Sequence, residues 1–223
     1  EAVIASEDKS FYQHSGVDMA AIVRAAFRQF ILHESSSGAS TLSMQVAKEL
    51  RGGTGRRSTS KEKVQDIITA LRIERAYAKE QILLRYLNMP YFGRGQYGVE
   101  AASRAYFGKP SAVLTAHQAA FLVSLINKPA LPDRSFARSD LKQATEVVES
   151  NWSDVLSGTR RVLERMREDG YLNREAFAKA SDALDSSLRY EVVPRSNGCA
   201  VKDYFLEYVR VSYKDRLPLN TGG

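Results

Sequence analysis

Near its start the chain reads SEDKSFYQHSG, which sets two adjacent acids, Glu7 and Asp8, ahead of an aromatic ring at Phe11 and an imidazole at His14. On a helix, residues 7, 11 and 14 would share one face. An ordinary amphipathic helix would carry Leu or Ile there, so the pattern weighs a catalytic face against a helix with a capping acid and a half-buried histidine. A second cluster lies in GASTLSMQVAK, where Thr41, Gln45 and Lys48 repeat the same spacing with three hydrogen-bond donors, one of them charged. Ser40 or Thr41 suits a helix N-cap. The open N–H groups and positive dipole end of such a helix suit a phosphate, whereas the plain reading is a capped surface helix. A third cluster pairs Lys63 with Asp66. Its plain reading is an exposed i, i+3 ion pair worth a few tenths of a kcal/mol.

The elements that position these residues read almost wholly as helices. MAAIVRAAFRQFIL places Met19, Ile22, Val23, Ala26, Phe27, Phe30 and Ile31 on one stripe, with Arg24 and Arg28 opposite. That pattern fits a helix facing a core, or a basic amphipathic helix lying in a membrane surface. Val64, Ile67, Ile68 and Leu71 form the core stripe expected for the next long helix, which points Asp66 away from the core. RGGTGRRSTSK, residues 51–61, reads as a mobile basic loop. Thr115 caps AHQAAFLVSLI, the best candidate for a central helix, and further helices run to about residue 187, broken at Gly170 and restarted at Asn173. This predicts an all-α domain over 1–187 and a connector over 188–223.

At 223 residues the chain can hold one large domain, and its formal net charge of +6 suits an anionic partner. No basic–aromatic nucleic-acid module is visible. One cysteine, Cys199, excludes an internal disulfide, and His14, His33 and His117 show no metal-ligand spacing. No apolar run is long enough to span a bilayer. Both ends read as cuts, so a membrane anchor is expected upstream.

EDKSFYQHSG resembles the first signature of the peptidoglycan glycosyltransferases of family 51, E-D-x-x-F-x-x-H-x-G. GASTLSMQVAK resembles their second, G-x-S-T-x-x-x-Q-x-x-K. YLNMPYFGRGQYGVEAASRAYFGK and LTAHQAAFLVSLINKP are similar to two later ones, in the same order and spacing. The resemblance implies a lysozyme-like, two-lobed helical fold whose smaller lobe, at MAAIVRAAFRQFIL, dips into the membrane. It implies an enzyme on the extracytoplasmic face of the cell membrane that polymerises lipid II into β-1,4 glycan strands with inversion. Glu7 matches the general base, its pKa expected to be raised by Asp8 and Phe11. Asp8, Phe11, His14, Gly38, Ser40, Thr41, Gln45, Lys48 and Lys63 match substrate-binding positions, with Lys48 and Lys63 on the pyrophosphate. No cofactor is required by this reading, and a divalent cation such as Mg2+ could assist at the pyrophosphate. The implied partners are lipid II, the growing strand, the membrane surface and other cell-wall synthesis proteins, but no nucleic acid. The tail resembles the connector that precedes a transpeptidase domain.

The third signature, R-K-x-x-E, is altered. Here it reads EKVQD, so Glu62 replaces an arginine and Asp66 a longer acid. Asp66 is nonetheless the candidate for the second catalytic carboxylate, with Glu62 as a repelling neighbour on its face and Lys63 opposing that repulsion. Two other readings compete: a lysozyme-like enzyme that cleaves glycans, and a non-catalytic membrane scaffold.

Overall fold

The structure, a computed structural model, describes residues 1–31, 40–52, 58–128 and 142–192. Among these the chain is helical, and the nearest thing to a sheet is one isolated antiparallel bridge between Tyr91 and Tyr97. The expected all-α class is therefore observed.

Helix α7 (Ala116–Leu125) is the centre. Its sequence, AHQAAFLVSL, is apolar on nearly every side, and Ala120, Phe121, Leu122 and Leu125 are all buried. Such a helix must be covered all round. Thr115 and Gln118 close a capping box at its start. The long helix α8 (Lys142–Glu168) covers one side with Trp152, Val155, Val162, Leu163 and Met166, spaced by three, four and seven. The two approach closely at Gly158, where an added Cβ would sit 3.3 Å from the Ser124 Cβ. Gly170, at φ +79°, ends the run as expected, and Asn173 caps α9 (Arg174–Ser186) by accepting from the Ala176 amide. Helix α1 (Ala2–Glu7) is short, but Ala2, Val3, Ile4 and Ala5 are all buried between α7 and α8. That packing, rather than intrinsic propensity, supports six residues of helix and delivers Glu7 to the edge of the core.

The remaining site residues come from α3 (Leu42–Leu50) and α4 (Ser60–Ala76), with α5 (Lys79–Leu87) packed on both. Helix α4 overturns an expectation. Its inward face carries Asp66, Ala70 and Ile73; of the expected stripe, Ile67 packs against the core while Val64, Ile68 and Leu71 point outward. The reason is space. A Cβ on Gly16 would stand 3.1 Å from the backbone of Ala70, so the α4 face at this crossing has to be small. Helix α6 (Val99–Phe107) closes at Gly108, whose φ of +66° favours glycine.

Helix α2 (Met19–Ile31) stands apart. It makes none of the major helix–helix contacts, and Met19, Val23 and Phe27 are 65%, 63% and 56% exposed. The core-facing alternative for this helix is thus not what the described residues show. Its start is pinned by Asp18, which accepts from the Ala21 amide and from Ser10; those hydrogen bonds hold the carboxyl below its ordinary value.

The short helix α10 (Leu188–Glu191) returns to the core, burying Leu188 and Val192. Helical packing thus continues to Val192, and residues 193–223 lie outside the described residues, as do residues 53–57 of the basic loop, whereas Arg51 caps α3 and Ser60 and Lys61 already belong to α4. Glu191 clasps the start of α7, accepting from Gln118 Nε2 at 2.6 Å and lying 3.0 Å from His117 Nε2. Burial pushes its carboxyl up, but hydrogen bonds from Ser187, His117 and Gln118 outweigh that and lower its pKa. A lowered folded pKa stabilises above the unfolded value and loses that contribution as pH falls through the folded one. The melting temperature of Glu191→Gln should accordingly show a weaker acid dependence below about pH 4.5 than that of the native chain. Parallel acid limbs in thermal melts would show that the clasp is not formed.

Candidate active site

The site begins where α1 stops. Asp8 leaves helical geometry at φ −160° and turns its carboxylate into the protein. One oxygen accepts from the Leu42 amide at 2.9 Å, at the start of α3, and both lie 3.0 Å from His14 Nε2. The Gly16 amide donates to His14 Nδ1 at 3.1 Å, so that nitrogen holds a lone pair and the ring proton sits on Nε2, aimed at Asp8. Residues 8–18 are turns, not helix. Glu7, Phe11 and His14 thus do not share a helical face, because Asp8 spends its carboxylate on α3 and His14 instead of continuing α1.

Phe11 is fully buried and does not face a cleft. It meets the rings of Tyr12 and His14 edge-on, and Lys79 Nζ stands over its ring, 4.4 Å from the centroid. Lys79 also donates to the His14 carbonyl at 2.6 Å and to Glu74 at 2.7 Å, and Ser43 donates to the same Glu74 oxygen. Asp8, Phe11 and His14 form a buried joint that ties the end of α1 to α3, α4 and α5. Sequence reasoning missed Glu74 and Lys79, whose pairing crosses the end of α4 and has no helical spacing to reveal it.

Thr41 is the N-cap of α3, as expected. It accepts from the Met44 amide at 3.2 Å, and its own hydroxyl donates to the Gly16 carbonyl at 2.6 Å. Thr41 is buried and its proton is committed. With the Leu42 amide taken by Asp8, the start of α3 is not the open phosphate-binding end that its sequence suggested. Gln45, expected on the substrate, is here held between two side chains: its Nε2 donates to Glu7 Oε2 at 3.3 Å, and its Oε1 accepts from the Tyr86 hydroxyl at 3.3 Å. Burial, helped by the Glu7 charge, pushes the Tyr86 phenol far up, so it stays a donor. Tyr86 fixes the amide and the amide fixes Glu7. The other Glu7 oxygen has only Ser6 Oγ, at 3.5 Å, among its described contacts, and Glu7 is half-buried. Lys48 lies on α3 one turn beyond Gln45, also half-buried.

Lys63 donates to Ser40 Oγ at 3.1 Å, which joins the second and third clusters at an exposed position. It does not pair with Asp66. Gly38 lies outside the described residues. Asp66 is 4% exposed and gripped by Arg51: Nε reaches Oδ1 at 2.9 Å and Nη2 reaches Oδ2 at 3.2 Å. Arg51 Nη1 reaches Glu62 Oε1 at 2.9 Å. The repulsion expected between Glu62 and Asp66 is answered by Arg51, not by Lys63. Hydrogen bonding to Asp66 pushes the guanidinium pKa up still further. The available signal was a basic residue just past the last turn of α3, where the helix dipole favours a cation.

The sequence model of the transglycosylase family matches residues 1–158. Penicillin-binding protein 1A of Rickettsia felis is 38% identical over 193 residues, covering 84% of this chain and 22% of that protein. Penicillin-binding protein 1A of Aquifex aeolicus is 34% identical over 235 residues, covering 99% and 28%. Penicillin-binding protein 1F of Bacillus subtilis is 37% identical over 146 residues, covering 63% and 20%. The chain thus spans a fifth to somewhat over a quarter of the length of these relatives.

Thr41→Val keeps the shape at the joint and removes both hydroxyl bonds, so it should destabilise the domain by about 1–3 kcal/mol. Chemical denaturation measures this, and a native midpoint would show that the Gly16 contact contributes nothing.

Proposed function

The chain belongs to the transglycosylase family of peptidoglycan glycosyltransferases, and from that premise we propose that it polymerises lipid II into β-1,4 glycan strands with Glu7 as general base. The observation that carries the reading is the setting of Glu7. Its carboxylate ends a helix rooted in the core, is steadied on one oxygen by Gln45 and Tyr86, and is half-buried. A base must be held in place and still reach its proton.

In the proposed reaction the 4-hydroxyl of the acceptor sugar attacks the anomeric carbon of the donor. The new C–O bond forms as the bond to the lipid pyrophosphate breaks on the opposite face, inverting the α-linked donor. Glu7 takes the hydroxyl proton during attack and later releases it to water. Negative charge grows on the leaving undecaprenyl pyrophosphate, and fixed cations facing it lower the barrier. Lys48 and Lys63 are assigned that task, with Ser40 beside Lys63. Asp66 is assigned as the second carboxylate. Among the described residues no three His, Cys, Asp or Glu side chains converge. A divalent cation such as Mg2+ at the pyrophosphate would take ligands from the substrate's own oxygens and supply charge neutralisation there.

We place the domain at the extracytoplasmic face of the cell membrane, near other cell-wall synthesis proteins. No described helix is long and apolar enough to cross a bilayer. Surface binding is supported by the exposed Met19, Val23 and Phe27 on α2. Serine at all three positions should cut binding to anionic vesicles at least about fivefold in a sedimentation assay with little change in melting temperature, since exposed side chains contribute little to folding. A lowered melting temperature with unchanged vesicle binding would return α2 to the core.

Glu7→Gln preserves the hydrogen-bonded shape and removes the base. With lipid II in detergent, polymer formation should fall by roughly 10²-fold or more with the fold intact. Native polymerisation by this variant would end the assignment, and release of small muropeptides by the native chain would favour glycan cleavage instead.

A further inference from the structure

Asp66 faces inward from α4 beside Ala70 and Ile73, where an ionised carboxylate needs a partner. Arg51 is more than a counter-charge. Its Nε and Nη2 bind one Asp66 oxygen each, at 2.9 and 3.2 Å, and this two-pronged contact fixes both the place and the plane of the carboxylate. Its Nη1 binds Glu62, itself immobilised by the Thr59 amide at 2.8 Å and hydroxyl at 2.9 Å in the α4 capping box. At the other end, the Arg51 backbone amide bonds the Ala47 carbonyl, on the helix that carries Gln45 and Lys48. The guanidinium is therefore a strut between α3 and the inward face of α4.

Geometry explains why this chain needs such a strut. Asp66 and Glu62 are one helical turn apart, and two acids at that spacing repel. Aspartate is also a methylene shorter than the glutamate of the signature that this segment resembles, so its carboxylate has less reach and must be held where it is useful. In that signature the arginine stands at the position of Glu62. Here position 62 is an acid, and the guanidinium arrives from position 51 across the helix pair.

We propose that Arg51 is a positioning residue for glycosyl transfer: it sets the orientation of Asp66, and the same guanidinium could be delivered from position 62. The inference rests on the reading of Asp66 as the second carboxylate. A misplacement of about 1 Å at such a group can cost on the order of 10²-fold in rate.

The test measures lipid II polymerisation and thermal melting for Asp66→Asn, Arg51→Gln, Arg51→Lys and the double variant Arg51→Gln with Glu62→Arg. Arg51→Gln should lower kcat by roughly ten- to a hundredfold with KM nearly unchanged. Arg51→Lys should recover little, because an ammonium keeps the charge but cannot form the two-pronged contact. The double variant should regain at least about tenfold over Arg51→Gln, since an arginine one turn before Asp66 can reach it along α4. A purely architectural role would not yield that recovery, because Glu62→Arg also removes the capping box. Native kcat in a folded Arg51→Gln or Arg51→Lys, a loss confined to KM, or no recovery in the double variant would each overturn the positioning role. If Arg51→Gln does not fold, Arg51→Lys decides alone. Native activity in Asp66→Asn would instead overturn the reading of Asp66, so the two failures are told apart.

Discussion

The site depends first on the carboxylate of Asp8. It is buried, and it receives the first amide of α3 and the imidazole of His14 at once. Those contacts stop α1 at Glu7, orient α3 so that Gln45 reaches Glu7, and hold the turn that carries Gly16 against α4 and Thr41. A charged hydrogen bond in a buried setting is strong when satisfied and costly when broken. One acid of the adjacent pair therefore builds the site, and the other is left half-buried beside it. Their neighbours separate the roles: Asp8 is surrounded by donors, while Glu7 has one well-placed amide.

Much of this was legible in the sequence, and the failures share a cause. Helices with strong periodicity and explicit punctuation, such as α7 behind Thr115 and α9 behind Asn173, appear where residue types place them. Two pairs of residues matched through signatures meet: Gln45 on Glu7 and Lys63 on Ser40. What failed were inferences about which side of an element faces inward. The helical spacing of Glu7, Phe11 and His14 is coincidental, because a tertiary contact of Asp8 ends the helix first. Three of the four stripe residues of α4, Val64, Ile68 and Leu71, lie outward because Gly16 and Ala70 have to touch. The end of α3 marks Arg51 as a favourable cation, but its partners lie on the next helix, and only packing identifies them. Periodicity reports that a helix has a face; only packing says what that face meets.

The half-buried network around Lys79 shows how polar groups support such packing. Glu74, Ser43, Lys79 and the His14 carbonyl satisfy one another beneath Phe11. A hydrogen-bonded network of this kind favours one arrangement where an apolar contact would tolerate several. That matters in a region of short elements, where α1 has six residues and α3 and α5 nine each. Helices of this length are marginal alone, and here hydrogen bonds from neighbours replace length as the source of rigidity.

The outward stripe of α4 then acquires a meaning under the proposed function. Lys63 stands at the exposed end of that helix beside Ser40, and Val64, Ile68 and Leu71 follow it on the surface. A polyprenyl pyrophosphate has the same arrangement, an anionic group joined to a long apolar chain. A protein that takes such a molecule from a membrane has to bring cations to the depth of the headgroup while presenting apolar surface just below it. Burying the stripe would satisfy the hydrophobic effect within the domain and, under the proposed function, leave a lipid-linked substrate without a matching surface. An inward face of Asp66, Ala70 and Ile73 permits the opposite choice, because Arg51 neutralises the acid and the two small or aliphatic residues close the crossing. The ion pair at the base of α4 and the exposed apolar stripe on its back are thus two consequences of one packing decision.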